Sequence, residues 1–243
     1  RLVPDKPLAE VEEIQPKYIS DMLLHTPSLA LDAARHEIKR MGKRVDLMNT
    51  AMMPAVLTGG KEKLETVREM DNEVDVLYKH VVNYLAEISK LKLNEYQTQK
   101  MMKLMGTVND LENIGDVIEV SMVDLGEKRV KKGFKISEAT QKVIHTVHVV
   151  VSDALKAAVR GVVEEDKEYA TRVITMKSDL NRLVEQAELH QAKRLVSADS
   201  GKFEAYSVEV DIIEKLKRVY YYAKRMAKTV VEIEDEKAVM EAA

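Results

Sequence analysis

Within the segment Asn109-Asp110-Leu111-Glu112-Asn113-Ile114-Gly115-Asp116, two carboxylates, Glu112 and Asp116, stand four residues apart. On a helix that spacing is about one turn, so both groups project from the same side. Met101, Leu104, Val108, Leu111, Gly115, Ile118 and Met122 recur at steps of three and four and define an apolar stripe that the carboxylates border. Gly115 lies on that stripe, where it weakens the helix but lets another backbone come close. Upstream, Asp71 and Asp75 repeat the arrangement beside Val67, Met70, Val74, Leu77, Val81 and Leu85. If these two helices pack together, four carboxylates converge. Hard oxygen donors of this kind suit Mg, Mn, Fe or, with other groups, Zn. Like charges one turn apart repel, and a bound cation would explain their tolerance. The plainer reading pairs Asp75 with Lys79 one turn on, in a chain where 33% of residues are charged.

Other chemistry is thin. None of the six histidines (His25, His36, His80, His145, His148, His190) has Glu three residues before it, which counts against a ferritin-like di-iron oxidase. His36 reads as an ordinary, partly exposed side chain. His145 and His148 read as a helix rim among Val147, Val149 and Val150. Tyr220-Tyr221-Tyr222, with Lys215, Lys217, Arg218, Lys224, Arg225 and Lys228, makes one basic helix. An acidic partner, phosphate or lipid headgroups would suit it, and a solvated face is the commoner use of such a stretch. No Gly-rich phosphate loop, Ser/His/Asp set or Cys/His pair is present, so the expectation is a protein that is not an enzyme.

The elements that must hold the carboxylates are helices. Only 9 Gly and 5 Pro punctuate 243 residues, and with 2 Phe and no Trp the core must be filled by aliphatic side chains and 13 Met. The net charge of −3 argues against a general nucleic-acid binder. The absence of Cys excludes disulfides and thiolate chemistry and fits a reducing compartment. No apolar run approaches the roughly 18 residues of a membrane span. The chain begins at Arg1, as a piece of something longer would.

Residues 1–26, with Pro4, Pro7 and Pro16, read as a linker from a preceding membrane part. Six long helices follow: Pro27 to about Leu57, Lys61–Ser89, Tyr96–Leu125, Ile136–Glu164, Lys167–Val196 and Phe203–Ile233. Gly126 to Gly133, basic and Gly-bounded, reads as the boundary between halves, Ser197–Gly201 as a loop, and 236–243 as a tail. Short links between helices imply antiparallel neighbours. The halves are related: Val67, Met70 and Leu77 recur as Val173, Met176 and Leu183, and Leu111-Glu112 as Ile213-Glu214. The expected fold is all-α, with two tandem antiparallel three-helix bundles at 27–130 and 134–235.

Asp110 to Asp116, with Asp71 and Asp75 upstream in a three-helix repeat, resembles the PhoU family. The opening Leu2-Val3-Pro4-Asp5 through Tyr18, then Pro27, Leu29-Ala30-Leu31 and Ala34-Arg35, looks like the segment leaving the membrane part of bacterial Na/phosphate cotransporters. The resemblance implies a PhoU-like regulatory domain of a sodium-dependent phosphate transporter at the cytoplasmic face of the membrane. Its implied partners are the membrane transporter domain of the same chain and a second copy as a homodimer. Two alternatives stay open: a stand-alone PhoU-type adaptor regulating a phosphate transporter or sensor kinase, and a structural bundle without metal. The resemblance also implies a metal ion or cluster (Fe, Zn, Mn or Ni) held by Asp71, Asp75, Glu112 and Asp116. In the second half Lys177 and Asn181 replace the two Asp, Arg218 replaces Asp116 and only Glu214 survives, so the metal is expected in the first repeat only.

Overall fold

The computed structural model describes residues 14–196 and 202–241. The opening Leu2-Val3-Pro4-Asp5, the loop read at 197–201 and the last two residues of the tail lie outside them. A short 3-10 turn at Asp21–His25 leads into α1 (Pro27–Thr58), with proline in its first turn. Then come α2 (Lys61–Ser89) and α3 (Glu95–Asp116). The α3 start carries a capping box: Asn94 accepts from the Gln97 N–H at 2.8 Å, and Gln97 accepts from the Asn94 N–H at 3.0 Å. Without a break, α3 passes into a π-helical segment, Val117–Met122, and on into α4 (Val123–Lys132). The second half holds α5 (Glu138–Glu164), α6 (Lys167–Val196) and α7 (Lys202–Glu241). With α3, the π segment and α4 taken as one rod, the described residues are all-helical, with six long helices.

The apolar stripe of α1 is buried as its periodicity requires: Leu31, Ala34, Ile38, Met41, Val45, Met48 and Met52 all lie inside. On α5 the inward face is centred on Ile144, Val147, Val151 and Leu155, while Val143 and Val150 are only half-buried. This rotation carries His148 inward; it is 7% exposed and not on a rim. One continuous hydrophobic cluster runs through both halves, joined where α1 meets α5 and α3 meets α7.

Two boundaries differ from the sequence reading. The third helix, expected to end near Leu125, stays helical through Lys132 and is closed by Gly133 with φ of 71°. Gly126 is an interior contact: a Cβ there would sit 2.5 Å from a Leu64 methyl and 3.3 Å from the Val56 Cα. The basic character of the stretch also has a structural use. Arg129 Nε donates to the Val56 carbonyl at 2.8 Å and its Nη2 to the Gly59 carbonyl, so a side chain from α4 satisfies acceptors at the end of α1. At the other end, α7 continues through residues read as a tail, since Glu, Lys, Ala and Met are good helix formers and no breaker intervenes.

Candidate metal centre

Helix α2 supplies Asp71 and Asp75, and α3 supplies Glu112 and Asp116. The two helices pack closely at Gly115, where an added Cβ would lie 2.7 Å from Asp71 Oδ1 and 3.4 Å from a Val74 methyl. Lacking a side chain, Gly115 leaves room for the Asp71 carboxylate. Nearby, the Tyr78 hydroxyl donates to Asn109 Oδ1 at 3.1 Å and fixes the register of α2 against α3.

The four carboxylates are electrostatic neighbours. Burial pushes the Asp71 carboxyl up to about 7, helped by Asp75, Glu119 and Asp116. Burial likewise pushes Glu112 up to about 8, with the charges of Asp75, Asp71 and Asp116 and a hydrogen bond to Asp75 adding to it. Asp116, though exposed, is raised by desolvation and by Asp75. Asp71 Oδ1 and Glu112 Oε2 are buried with no hydrogen-bond partner. Buried acceptors of this kind are costly, and a proton or a cation is what satisfies them.

The surroundings add two residues that the sequence reading did not single out. Glu119, in the π segment, faces Asp71 and also lies 3.8 Å from the guanidinium of Arg68. Arg68 in turn meets Glu65 at 2.8 Å, Glu127 at 3.1 Å and Asp124 at 3.7 Å, so one cation serves an acidic rim contributed by α2, the π segment and α4. Neither residue carries a sequence signal, because a π turn is a shift of backbone register that periodicity does not announce. Asp75 does pair with Lys79, at 3.1 Å. His36 is occupied elsewhere: its Nδ1 is 2.9 Å from the Asp32 carbonyl and its ring packs 5.5 Å from that of Tyr18.

The donor set is all oxygen. That chemistry fits hard cations such as Mg, Mn or ferric Fe better than Zn or Ni, which prefer His or Cys in the set. As placed, the carboxylates do not close around a point: among the described residues no group of three or more His, Cys, Asp or Glu has the arrangement of a metal site. At the second-half positions, Glu214 pairs with Lys217 at 2.6 Å, and Arg218 donates to the Tyr222 hydroxyl at 3.3 Å.

Residues 38–120, which hold all four carboxylates, match the family model of the PhoU domain. The fold is shared with PhoU from Pseudomonas aeruginosa, at a TM-score of 0.79 over 86% of this chain and 99% of that one, with 16% identity. It is shared also with the phosphate transport system regulatory protein PhoU from Streptococcus pneumoniae, at a TM-score of 0.66, 13% identity, and coverage of 88% of this chain and 96% of that one. Similar sequences named "Putative inorganic phosphate export protein YjbB" occur in Salmonella typhimurium, 23% identical over 97% of this chain, and in Escherichia coli K12, 22% identical over 97%. The chain spans 43% of the length of these curated relatives. One expectation is corrected. The membrane transporter domain foreseen as a partner within the same chain is not found here: the similarity takes up 97% of the chain, and no helix among the described residues is long and apolar enough to cross a membrane. The physical reason is that the long helices carry charges along their exposed faces.

Proposed function

We propose that this chain, which carries a PhoU domain, is a regulator of phosphate transport: an adaptor whose long helix faces contact a transporter or a sensor kinase, with no catalysis of its own. The PhoU domain, the shared fold and the relatives named for phosphate export support that reading. In the same reading, Asp71, Asp75, Glu112 and Asp116 hold a hard divalent or ferric cation that clamps α2 to α3. The observation that carries it is the pair of buried, unpartnered carboxyl oxygens of Asp71 and Glu112 on facing helices at the Gly115 contact. The cation supplies the positive charge that protons otherwise provide. The protein's own part is to hold the carboxylates in place, with Gly115 giving Asp71 room to turn inward.

The test is elemental analysis of protein purified without chelator and then challenged with Mn, Fe, Zn and Ni, beside Asp71→Asn/Glu112→Gln. Stoichiometric metal that the variant loses is the expected result. Phosphate flux in cells carrying the same variant tells whether the site regulates transport. A metal-free helical module is the second reading, favoured by the Asp75–Lys79 pair and by the lack of a closed donor set. It predicts neither metal uptake nor any change in flux.

A further inference from the structure

The second half replaces acids with bases at the corresponding positions, and the consequence reaches beyond the loss of a metal site. On α7, Tyr221, Lys224 and Lys228 follow one another at steps of three and four, so they form one stripe. Lys177 of α6 joins them. The Tyr220 hydroxyl donates to the Val173 carbonyl at 2.8 Å and sets the antiparallel register of the two helices. Helical side chains lean toward their own N-termini, so Lys177 and Lys224 lean toward each other across that pair. The Lys224 ammonium is held below the ordinary lysine range by lost hydration and by the charges of Lys177 and Lys228.

These three lysines differ from the paired cations of α7. Arg225 is paired with Asp110 at 2.7 Å and Lys217 with Glu214 at 2.6 Å. No carboxylate pairs with Lys177, Lys224 or Lys228 among the described residues. Tyr221, set among them, is 56% exposed, while its neighbours Tyr220 and Tyr222 are buried. A row of cations without carboxylate partners, beside an exposed amphipathic ring, suits an extended anionic surface better than an enclosed ligand. The acidic balance of the whole chain does not oppose this, because charges beyond about 10 Å are largely screened at 0.1 M salt.

We infer that the α6–α7 face carrying Lys177, Lys224, Lys228 and Tyr221 docks on an anionic phospholipid surface. The lysines meet headgroup phosphates, and the Tyr221 ring lies at the polar–apolar boundary. Sedimentation of the purified chain with vesicles tests it. Binding is expected to vesicles containing phosphatidylglycerol, not to neutral phosphatidylcholine alone, and to weaken in high salt. Lys177→Gln/Lys224→Gln should lower the partition coefficient roughly 30-fold, from about 1 kcal/mol per lysine at such a surface. Lys61→Gln/Lys131→Gln, on the other half, should leave it unchanged, and circular dichroism checks that all variants are folded. Equal binding to neutral vesicles, or wild-type binding by the first variant, overturns the inference. So does complete release by millimolar inorganic phosphate at constant ionic strength, which would make the stripe a site for the free anion.

Discussion

Asp71 and Glu112 are held in a state in which protons are favoured, and that has a measurable sign. Their carboxyls titrate near 7 and 8 when folded, against about 4 when the chain is unfolded. The unfolded chain therefore binds fewer protons between those values, and the contribution of these groups to stability falls as pH rises from about 4 to about 8. Asp71→Asn/Glu112→Gln should accordingly raise the melting temperature of metal-free protein at pH 8, by roughly 2–4 °C. At pH 4 it should change little. A lower melting temperature at pH 8 would mean that the carboxylates are satisfied in a way the geometry does not show. The same raised values imply that a cation enters by displacing protons. Calorimetry at pH 6.5 in two buffers of different ionisation enthalpy should show proton release on metal binding, and buffer-independent heats would contradict it.

At the scale of elements, the link from α1 to α4 is made by Arg129 and Gly126. Removing the guanidinium with Arg129→Met leaves two carbonyls at the end of α1 without donors. Each such loss costs about 1–3 kcal/mol, so denaturant unfolding should show a destabilisation of roughly 2–4 kcal/mol. Gly126→Ala gains helix propensity but forces a methyl against Leu64 and the Val56 backbone. The overpacking term of about 1–3 kcal/mol should exceed the propensity gain of about 1 kcal/mol. An unchanged unfolding midpoint for Gly126→Ala would show that Leu64 yields at no cost. The π segment matters at this scale too, because it delivers Glu119 between Asp71 and Arg68. Single-turn π segments recur at functional sites for this kind of re-aiming.

Across the whole molecule, the halves are tied by polar contacts set into an apolar junction. Asp110 of α3, 2% exposed in its side chain, pairs with Arg225 of α7 at 2.7 Å. Burial nevertheless pushes Asp110 up to about 6, against the lowering effect of Arg225. Arg225→Met should therefore destabilise the protein at pH 8 by roughly 1–3 kcal/mol, discounted because the arginine is half exposed, and much less at pH 4.5. Asp110→Asn added to it should recover most of the loss, since no buried charge then remains. Failure of that rescue would mean that Arg225 acts through its contacts with Tyr221 and Tyr222 instead. On the other seam, Asn49 donates to Ser152 at 2.8 Å, and His148 Nε2 is 3.0 Å from the Asn49 carbonyl. His148 is pushed down by burial, so it is kept neutral inside the junction.

The helices, the inward faces of α1 and α2 and the four first-half carboxylates were legible in the sequence, because each depends on spacing along one chain. A period of 3.6 residues marks which side of α1 or α2 is buried, and residues four apart share a face whatever the helix packs against. Asp110 and His148 were not legible as seam residues. A polar group at an inward position has no signature until its partner, Arg225 or Asn49, is brought from the other half. The Gly126–Gly133 stretch looked like a break because glycine and basic residues usually signal one. Only packing against Val56 and Leu64 reveals that the missing side chain makes a contact and that Arg129 caps a distant helix. Composition and periodicity determined an all-helical chain with four carboxylates placed at helical spacing in the first half and one basic stretch on the last helix. Tertiary structure alone decided which charges are paired, which are buried and which remain unmatched, since those depend on distances between helices that no local pattern encodes.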